Sequence, residues 1–341
     1  MPNYTATNLL KAIAKAEASF GAAETRQGSN AALALLLRNE PQVFRNANAL
    51  KQSLSQPNTA IIQTRKNIVS GTAKEHDHSG AIGDSIESPI TYVLRQQKFS
   101  VSYKLAENNQ FRYQEQLNHG LSEAMRMIRK DLNAYGLAQL AANKSQVATA
   151  NGITAFDGTE FAFENTAAES DFLAYNIKAA LMKNDYSAPV DIIADQKAFK
   201  SLSASAAQGS GNDENLIWQF NGLSMAEDET LAVPAKYAAG GYLYAFGQGM
   251  AGMTSWNEPI NRTSQYREVG SNTGLFTTAS DPFISGLSYD VHVVNKLADT
   301  SGSNGNSQDV VDEYEVTAIV AYGNAYLSVA NASPVFAVGQ L

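Results

Sequence analysis

The chain has no cysteine among its 341 residues. Disulfides, thiolate zinc sites and thiol nucleophiles are therefore excluded, and no oxidising compartment is needed. Histidines number only four. No proline falls between Pro89 and Pro189, so nothing there forces a helix to break. Long apolar runs are missing as well. The longest candidate for membrane insertion, Ala31–Leu37, falls far short of the roughly 20 residues a bilayer needs. The first residues mix alanines with Lys11, Lys15 and Glu17, unlike the apolar core of a signal peptide. No G-x-S-x-G, P-loop or H-E-x-x-H pattern occurs, so no catalytic class is marked. The expectation is a soluble folded protein that is not an enzyme, with no cofactor and no membrane contact.

What is present favours a packed core: 44% of residues are hydrophobic and 17% charged, the balance of a globular chain rather than a disordered one. The length allows one or two domains. The net charge of -8 is unevenly spread. Residues 1–70 carry eight Lys/Arg against Glu17, Glu24 and Glu40, a net +5, which leaves -13 for residues 71–341. That reads as a solvated helical arm, or as a basic arm facing an acidic partner. No basic-aromatic interleaving marks sequence-specific nucleic-acid recognition.

The most informative stretch is Gln110–Lys144. Leu117, Leu121, Met125, Ile128, Leu132, Tyr135 and Leu140 form one stripe of a 3.6-residue helix. Asn108 or Asn109 would cap its start. Such a helix would be about 50 Å long. Gly120 and Gly136 each cost about 1 kcal/mol relative to alanine, which leaves room for a bend or a late start near Gly120.

Before it, residues 1–58 read as helical pieces at Asn8–Phe20 and Asn30–Arg38, with Pro41 and Pro57 as punctuation and a thin alanine-leucine face suited to draping. Thr59–Val69 is rich in β-branched residues, and Ile90–Leu105 alternates Phe99, Val101, Tyr103 and Leu105 with Lys98, Ser100, Ser102 and Lys104. These predict a long two-stranded hairpin around the glycine-bearing Ser70–Ser88. An isolated hairpin is marginal in water, so one this long is expected to rest on another subunit.

After the long helix come a short strand at Ile153–Phe163, a helix capped by Ser170 and running to Lys183, a strand at Pro189–Ala194 and a helix opened by Asp195. Ser203–Asn215 reads as a loop. Short strands follow at Asn221–Leu223, Leu231–Pro234, Gly241–Phe246, Met250–Trp256 and Tyr289–Val294. Glu313–Val329 reads as a strand pair turning at Gly323-Asn324, and Pro334–Val338 closes the chain. Helices come early and strands late, so the class is α+β.

Candidate chemistry is thin. Gly247-Gln248-Gly249-Met250-Ala251-Gly252 matches G-x-G-x-x-G, but a dinucleotide site needs a helix at the third glycine, and Met253–Trp256 reads as strand. A glycine-rich turn is expected. His76-Asp77-His78 has only Glu75 and Asp84 as nearby further ligands and reads as a solvated loop tip. Glu227-Asp228-Glu229 and Asp312-Glu313-Glu315 read as solvated carboxylates.

The order of parts carries a resemblance. Helical arm, glycine-tipped hairpin, long helix, α/β unit and β-rich tail together resemble the major capsid protein of tailed bacteriophages, a fold shared with encapsulins and the herpesvirus capsid floor. Gln110–Lys144 looks like the family's spine helix, and Thr59–Leu105 like its extended loop. Ala188–Ser203 is similar to the axial-domain strand and helix, and Tyr314–Val338 resembles the closing strands. The resemblance implies an N-terminal arm at 1–58 and an extended hairpin loop at 59–108. It implies a peripheral domain with the spine helix at 109–164 and 270–300, and an axial domain at 165–269 and 301–341.

It further implies a structural protein of hexamers and pentamers tiling an icosahedral shell around double-stranded DNA, contacted non-specifically. The shell would belong to a virion assembled in the host bacterial cytoplasm. Scaffolding, portal or decoration proteins would be further partners. Arg65, Lys66, Lys74, Lys98 and Lys104 are the expected inter-subunit contacts. Some family members lose an N-terminal segment to a protease; with Met1 present, its retention is expected in this form. An encapsulin-type compartment holding protein cargo is the alternative within the fold, and a soluble enzyme is the alternative outside it.

Overall fold

The computed structural model describes residues 30–62, 86–103, 113–150, 155–163, 173–186, 189–206, 217–220, 222–263, 265–269, 272–299, 308–325 and 332–341. Helix and sheet are mixed throughout, as the α+β class requires. The helix read at Asn8–Phe20, the His76-Asp77-His78 tip and the caps at Asn108, Asn109 and Ser170 lie outside the described residues.

Three short helices open the described chain: α1 (Ala31–Arg38), α2 (Glu40–Val43) and α3 (Ala47–Gln52). Strands β1 (Thr59–Ile62) and β2 (Ile86–Pro89) pair antiparallel as a separate two-stranded ladder. Next come β3 (Tyr92–Ser102) and the long helix α4 (Tyr113–Ala142). The rest comprises β4 (Ala155–Phe156), β5 (Glu160–Phe163), α5 (Leu173–Lys183), β6 (Val190–Ala194), α6 (Gln196–Ala206), β7 (Ile217–Phe220) and β8 (Leu223–Glu227). The chain ends with β9 (Gly241–Gly247), β10 (Ala251–Trp256), β11 (Gln265–Val269), β12 (Asn272–Ser280), β13 (Ser288–Asp299), β14 (Gln308–Asn324) and β15 (Val335–Gln340).

Two sheets carry the architecture. The six-stranded one is built on β14, which pairs with β3 along one side and with β13 and then β10 along the other; β12 and β11 continue beyond β13. The seven-stranded one runs β4-β5-β15-β9-β6-β8-β7. Helix α4 lies on the six-stranded sheet. Leu117, Leu121, Met125, Ile128, Leu132 and Leu140 are buried in one core with Tyr314, Val316 and Val320. Helices α5 and α6 cover one face of the seven-stranded sheet, where Ile177, Leu181 and Leu202 meet Ile192, Leu243 and Phe336. Ile193, on the opposite face of β6, belongs to the α4 core. With both faces covered, all five residues of β6 are buried, and Asp191 is the one break in its apolar sequence.

Three sequence expectations are corrected. First, Ile90–Leu105 is not the second arm of a hairpin with Thr59–Val69. The partner of β1 is β2, and the alternating strand β3 is zipped to β14 from Ser102↔Val311 to Tyr92↔Ala321. Alternation reports a half-buried strand but cannot name its neighbour.

Second, α1 is not draped on a surface. Ala31, Ala32, Leu33, Leu35, Leu36 and Leu37 are all buried, because a helix apolar on every side belongs in a core. Third, Gly323-Asn324 is not a turn. Both residues sit inside β14, opposite Gly252 and Ala251. A Cβ on Gly323 would lie 2.7 Å from the ring of Phe44, so close packing is what this glycine allows. Residues 308–317 pair with 290–299, while 335–340 join the other sheet.

Candidate assembly surface

The separate ladder is anchored from below. Ala60 and Ile62 of β1 and Ile90 beyond β2 are buried with Val43, Phe44, Leu50, Ala321 and Ala325. The Arg45 backbone N–H donates to the Ile61 carbonyl at 3.0 Å, and the Ile61 N–H donates to Asn46 Oδ1 at 3.1 Å. Pro41, read as punctuation, sits in the first turn of α2, where a missing N–H costs nothing. The short helices α2 and α3 thus serve as a pedestal, and the residues between β1 and β2 begin and end there. Beside it lies a polar hollow of about 330 Å³, lined by Ser88, Thr91, Gln139, Asn143 and Asn324 among others.

The pedestal is held to the body through α1. Two N–H groups of the first turn of α1, those of Ala32 and Leu33, donate to Asp228 Oδ2 (3.2 Å) and Asn133 Oδ1 (2.9 Å). A carboxylate there complements the helix dipole. At the other end Arg38 donates to Asp191 Oδ1 at 2.7 Å, and Asn39 Nδ2 to Asp191 Oδ2 at 2.7 Å. Burial raises the pKa of Asp228 against its bonds from Thr230 and Asn133. It likewise raises that of Asp191 against Asn39 and Arg38. Helix α4 is fixed similarly: Arg129, buried, reaches both carboxylate oxygens of Asp281 at 3.4 Å and stacks over the Phe283 ring. Tyr289 also donates to Asp281.

These findings correct the reading of the acidic groups as solvated. Asp228 is fully buried, and so is Asp312. Asp312 accepts from Tyr103 (2.7 Å), Tyr113 (2.5 Å) and Asn295 (2.8 Å). Burial, with Tyr314 and Asp312 alongside, pushes the Tyr113 phenol far up, so it stays protonated and donates. The cluster joins the end of β3, the start of α4 and the tip of the β13–β14 pair. Nothing in the local sequence marks these polar residues as buried. The only signal is their position on faces that are otherwise apolar.

The outer face of the six-stranded sheet is the open one. In register across β3, β14, β13 and β12 lie Lys98, Glu315, His292 and Phe276. Lys98 pairs with Glu315 at 3.1 Å, and Lys296 pairs with Glu313 at 2.7 Å. His292 stacks on Phe276 with ring centres 4.1 Å apart, and burial lowers its pKa although Glu315 opposes the shift. These strands line a hollow of about 370 Å³ with Val294 in its wall. Of the five expected contact residues, Lys98 lies here with 65% of its side chain exposed. Arg65, Lys66, Lys74 and Lys104 lie outside the described residues.

Chemistry for catalysis is not assembled here. After Gly247–Met250 the chain enters β10 rather than a helix, and Gln42 fills the space over Gly249. Among the described residues no group of His, Asp and Glu is arranged to hold a metal ion, and no helix is long and apolar enough to cross a membrane.

No protein-family model matches the chain, and no curated protein matches it. Solved structures resemble it over most of its length. A chain from the capsid of an empty GTA particle is 12% identical with a TM-score of 0.43, covering 87% of this chain and 91% of that one. One from Mycobacterium phage Bobi is 13% identical, with a TM-score of 0.41 over 89% and 90%. One from the cyanophage A-1(L) capsid is 11% identical, with a TM-score of 0.39 over 80% and 85%.

Proposed function

We propose that this chain is the major capsid protein of a tailed bacteriophage, a structural subunit rather than an enzyme. In this reading copies assemble as hexamers and pentamers into an icosahedral shell that encloses double-stranded DNA in the virion. The observation that carries it is the β1–β2 ladder. It belongs to neither large sheet, stands on its own pedestal of α2 and α3, and brackets residues 63–85. A two-stranded element of this kind is marginal alone and gains a stable resting place on a neighbouring copy. Residues 59–90 would be the extended loop, the six-stranded sheet with α4 the peripheral domain, and the seven-stranded sheet with α5 and α6 the axial domain. Scaffolding, portal and decoration proteins would be added partners, and the host bacterial cytoplasm the place of assembly.

Many modest contacts repeated around a closed shell add by multivalency. The test is electron microscopy of the chain expressed alone, together with a variant lacking residues 65–83. The full chain is expected to form closed particles, and the deletion to stay soluble without forming them. Normal particles from the deletion would remove the loop from its role. Particles filled with protein cargo instead of DNA in the native source would favour an encapsulin-type compartment.

A further inference from the structure

Strand β3 is an edge with unusual properties. It pairs with β14 through all of its eleven residues, Tyr92–Ser102, without a skipped position, and among the described residues no strand pairs with its other side. The remaining edge strands, β1, β2, β4, β7, β10 and β11, are two to six residues long. Proteins blunt long edges with prolines, bulges or free charges, because an unpaired edge is a template for another chain. Here Tyr-Val-Leu-Arg-Gln-Gln-Lys-Phe-Ser-Val-Ser has neither proline nor glycine and makes no bulge.

Its two cations, half-buried Arg95 and exposed Lys98, keep their charge at the edge, and each has a partner within the chain. Lys98 is paired with Glu315, and Arg95 donates to the Leu94 carbonyl at 3.1 Å. The strand is also held rigid from one face, where Phe99 stacks on Tyr314 with ring centres 4.8 Å apart and planes 3° from parallel. On the other face Leu94 stands 49% exposed.

We infer that the free edge of β3 accepts an extended strand from a second copy of this chain, so that the six-stranded sheet continues from one subunit into the next. This rests on the shell reading and names one contact within it. An edge already paired along its whole length on one side needs little reordering to receive a partner on the other. Backbone hydrogen bonds would supply the affinity, and the row of Leu94, Gln96, Lys98 and Ser100 the register.

The experiment is residue-level amide hydrogen exchange on the isolated subunit and on assembled particles. Successive residues of β3 point their N–H groups to opposite sides. The set bonded to β14 should be protected in both states. The alternate set should exchange quickly in the isolated subunit and slow by about 100-fold or more in particles. A second arm compares Gln96→Pro with Gln97→Pro. One of the two removes a bond to β14. The other removes only an outward donor, and is expected to keep the subunit folded while abolishing particles.

Protection of both sets in the isolated subunit would mean that the same copy covers this edge, and would overturn the inference. So would particles in which the alternate set still exchanges quickly, or normal assembly of both proline variants; either result leaves the shell reading standing. A chain that stays monomeric under all conditions overturns both.

Discussion

The ring of Phe99 on β3 lies directly against Gly120 of α4: a Cβ at Gly120 would sit 2.5 Å from Phe99 Cδ2. The glycine is thus a docking notch within the 30-residue helix α4, which offsets its poor helix propensity. Gly120→Ala would gain about 1 kcal/mol of helix propensity but overpack the contact, a change that costs roughly 1–3 kcal/mol. A net loss of stability in urea unfolding is expected. It should be smaller in the Phe99→Ala background, where the ring is gone. A loss of equal size in both backgrounds would show that the ring is not the obstacle.

Ile128 is fully buried at the middle of the α4 stripe. Ile128→Asp would place a carboxylate there without a partner and is expected to cost several kcal/mol. Thermal unfolding of the isolated subunit checks this; an unchanged midpoint would mean that the stripe faces water.

Arg129→Met leaves Asp281 buried without its cation. Breaking a buried pair typically costs about 3–5 kcal/mol. The lower part of that range is expected here, since Asp281 also accepts from the backbone N–H groups of Phe283 and Ile284 and from Tyr289. Combining it with Asp281→Asn should cost less than the two single changes summed, a coupling that a double-mutant cycle in urea measures.

His292 gives a pH dependence of definite sign. Burial lowers its pKa in the folded chain, with Glu315 opposing. The unfolded chain takes up this proton near pH 6.5, and the folded chain only at lower pH. Between those two values the unfolded state binds more protons, so stability falls as pH drops from about 6.5 towards the folded pKa. His292→Gln removes this contribution. Unfolding free energies at pH 7.5 and pH 5 should therefore differ more for the unaltered chain than for the variant; equal differences would place His292 in water-like surroundings.

How much of this was legible from sequence depends on the range of the interaction. The long helix was read to within a few residues at each end, because its apolar stripe is a local pattern repeated eight turns long. Asp195 was correctly read as opening a helix: its Oδ1 accepts from the Ala198 N–H at 2.9 Å, a contact three residues away. The glycine-rich turn before β10 was legible because Met253–Trp256 reads as strand, not as the helix a dinucleotide site needs. Pairing was not legible. Nothing in residues 90–105 says that their partner lies at 311–321 rather than at 59–69, since both segments alternate.

The depth of Asp228, Asp312 and Arg129 was equally hidden. Each has a partner about 95 to 209 positions away, and a charged letter looks the same wet or dry. The placement of α1 was within reach: a helix of alanines and leucines with no polar side announces a core, and it was misread because it follows a basic, alanine-rich beginning. The alternation of residues 92–102 marked a strand, but nothing local placed β3 against β14.

Strand β14 holds β3, β13 and β10 together, yet it occupies residues 308–324 of 341. During synthesis, the three hundred or so residues before β14 are made before the six-stranded sheet can close. Until then β3 lacks its partner and α4 lacks its floor, so apolar surface waits uncovered in a crowded cell. Long-range strand pairing of this kind is slow and prone to aggregation. The interval before β14 emerges is therefore when a newly made copy is most exposed to aggregation.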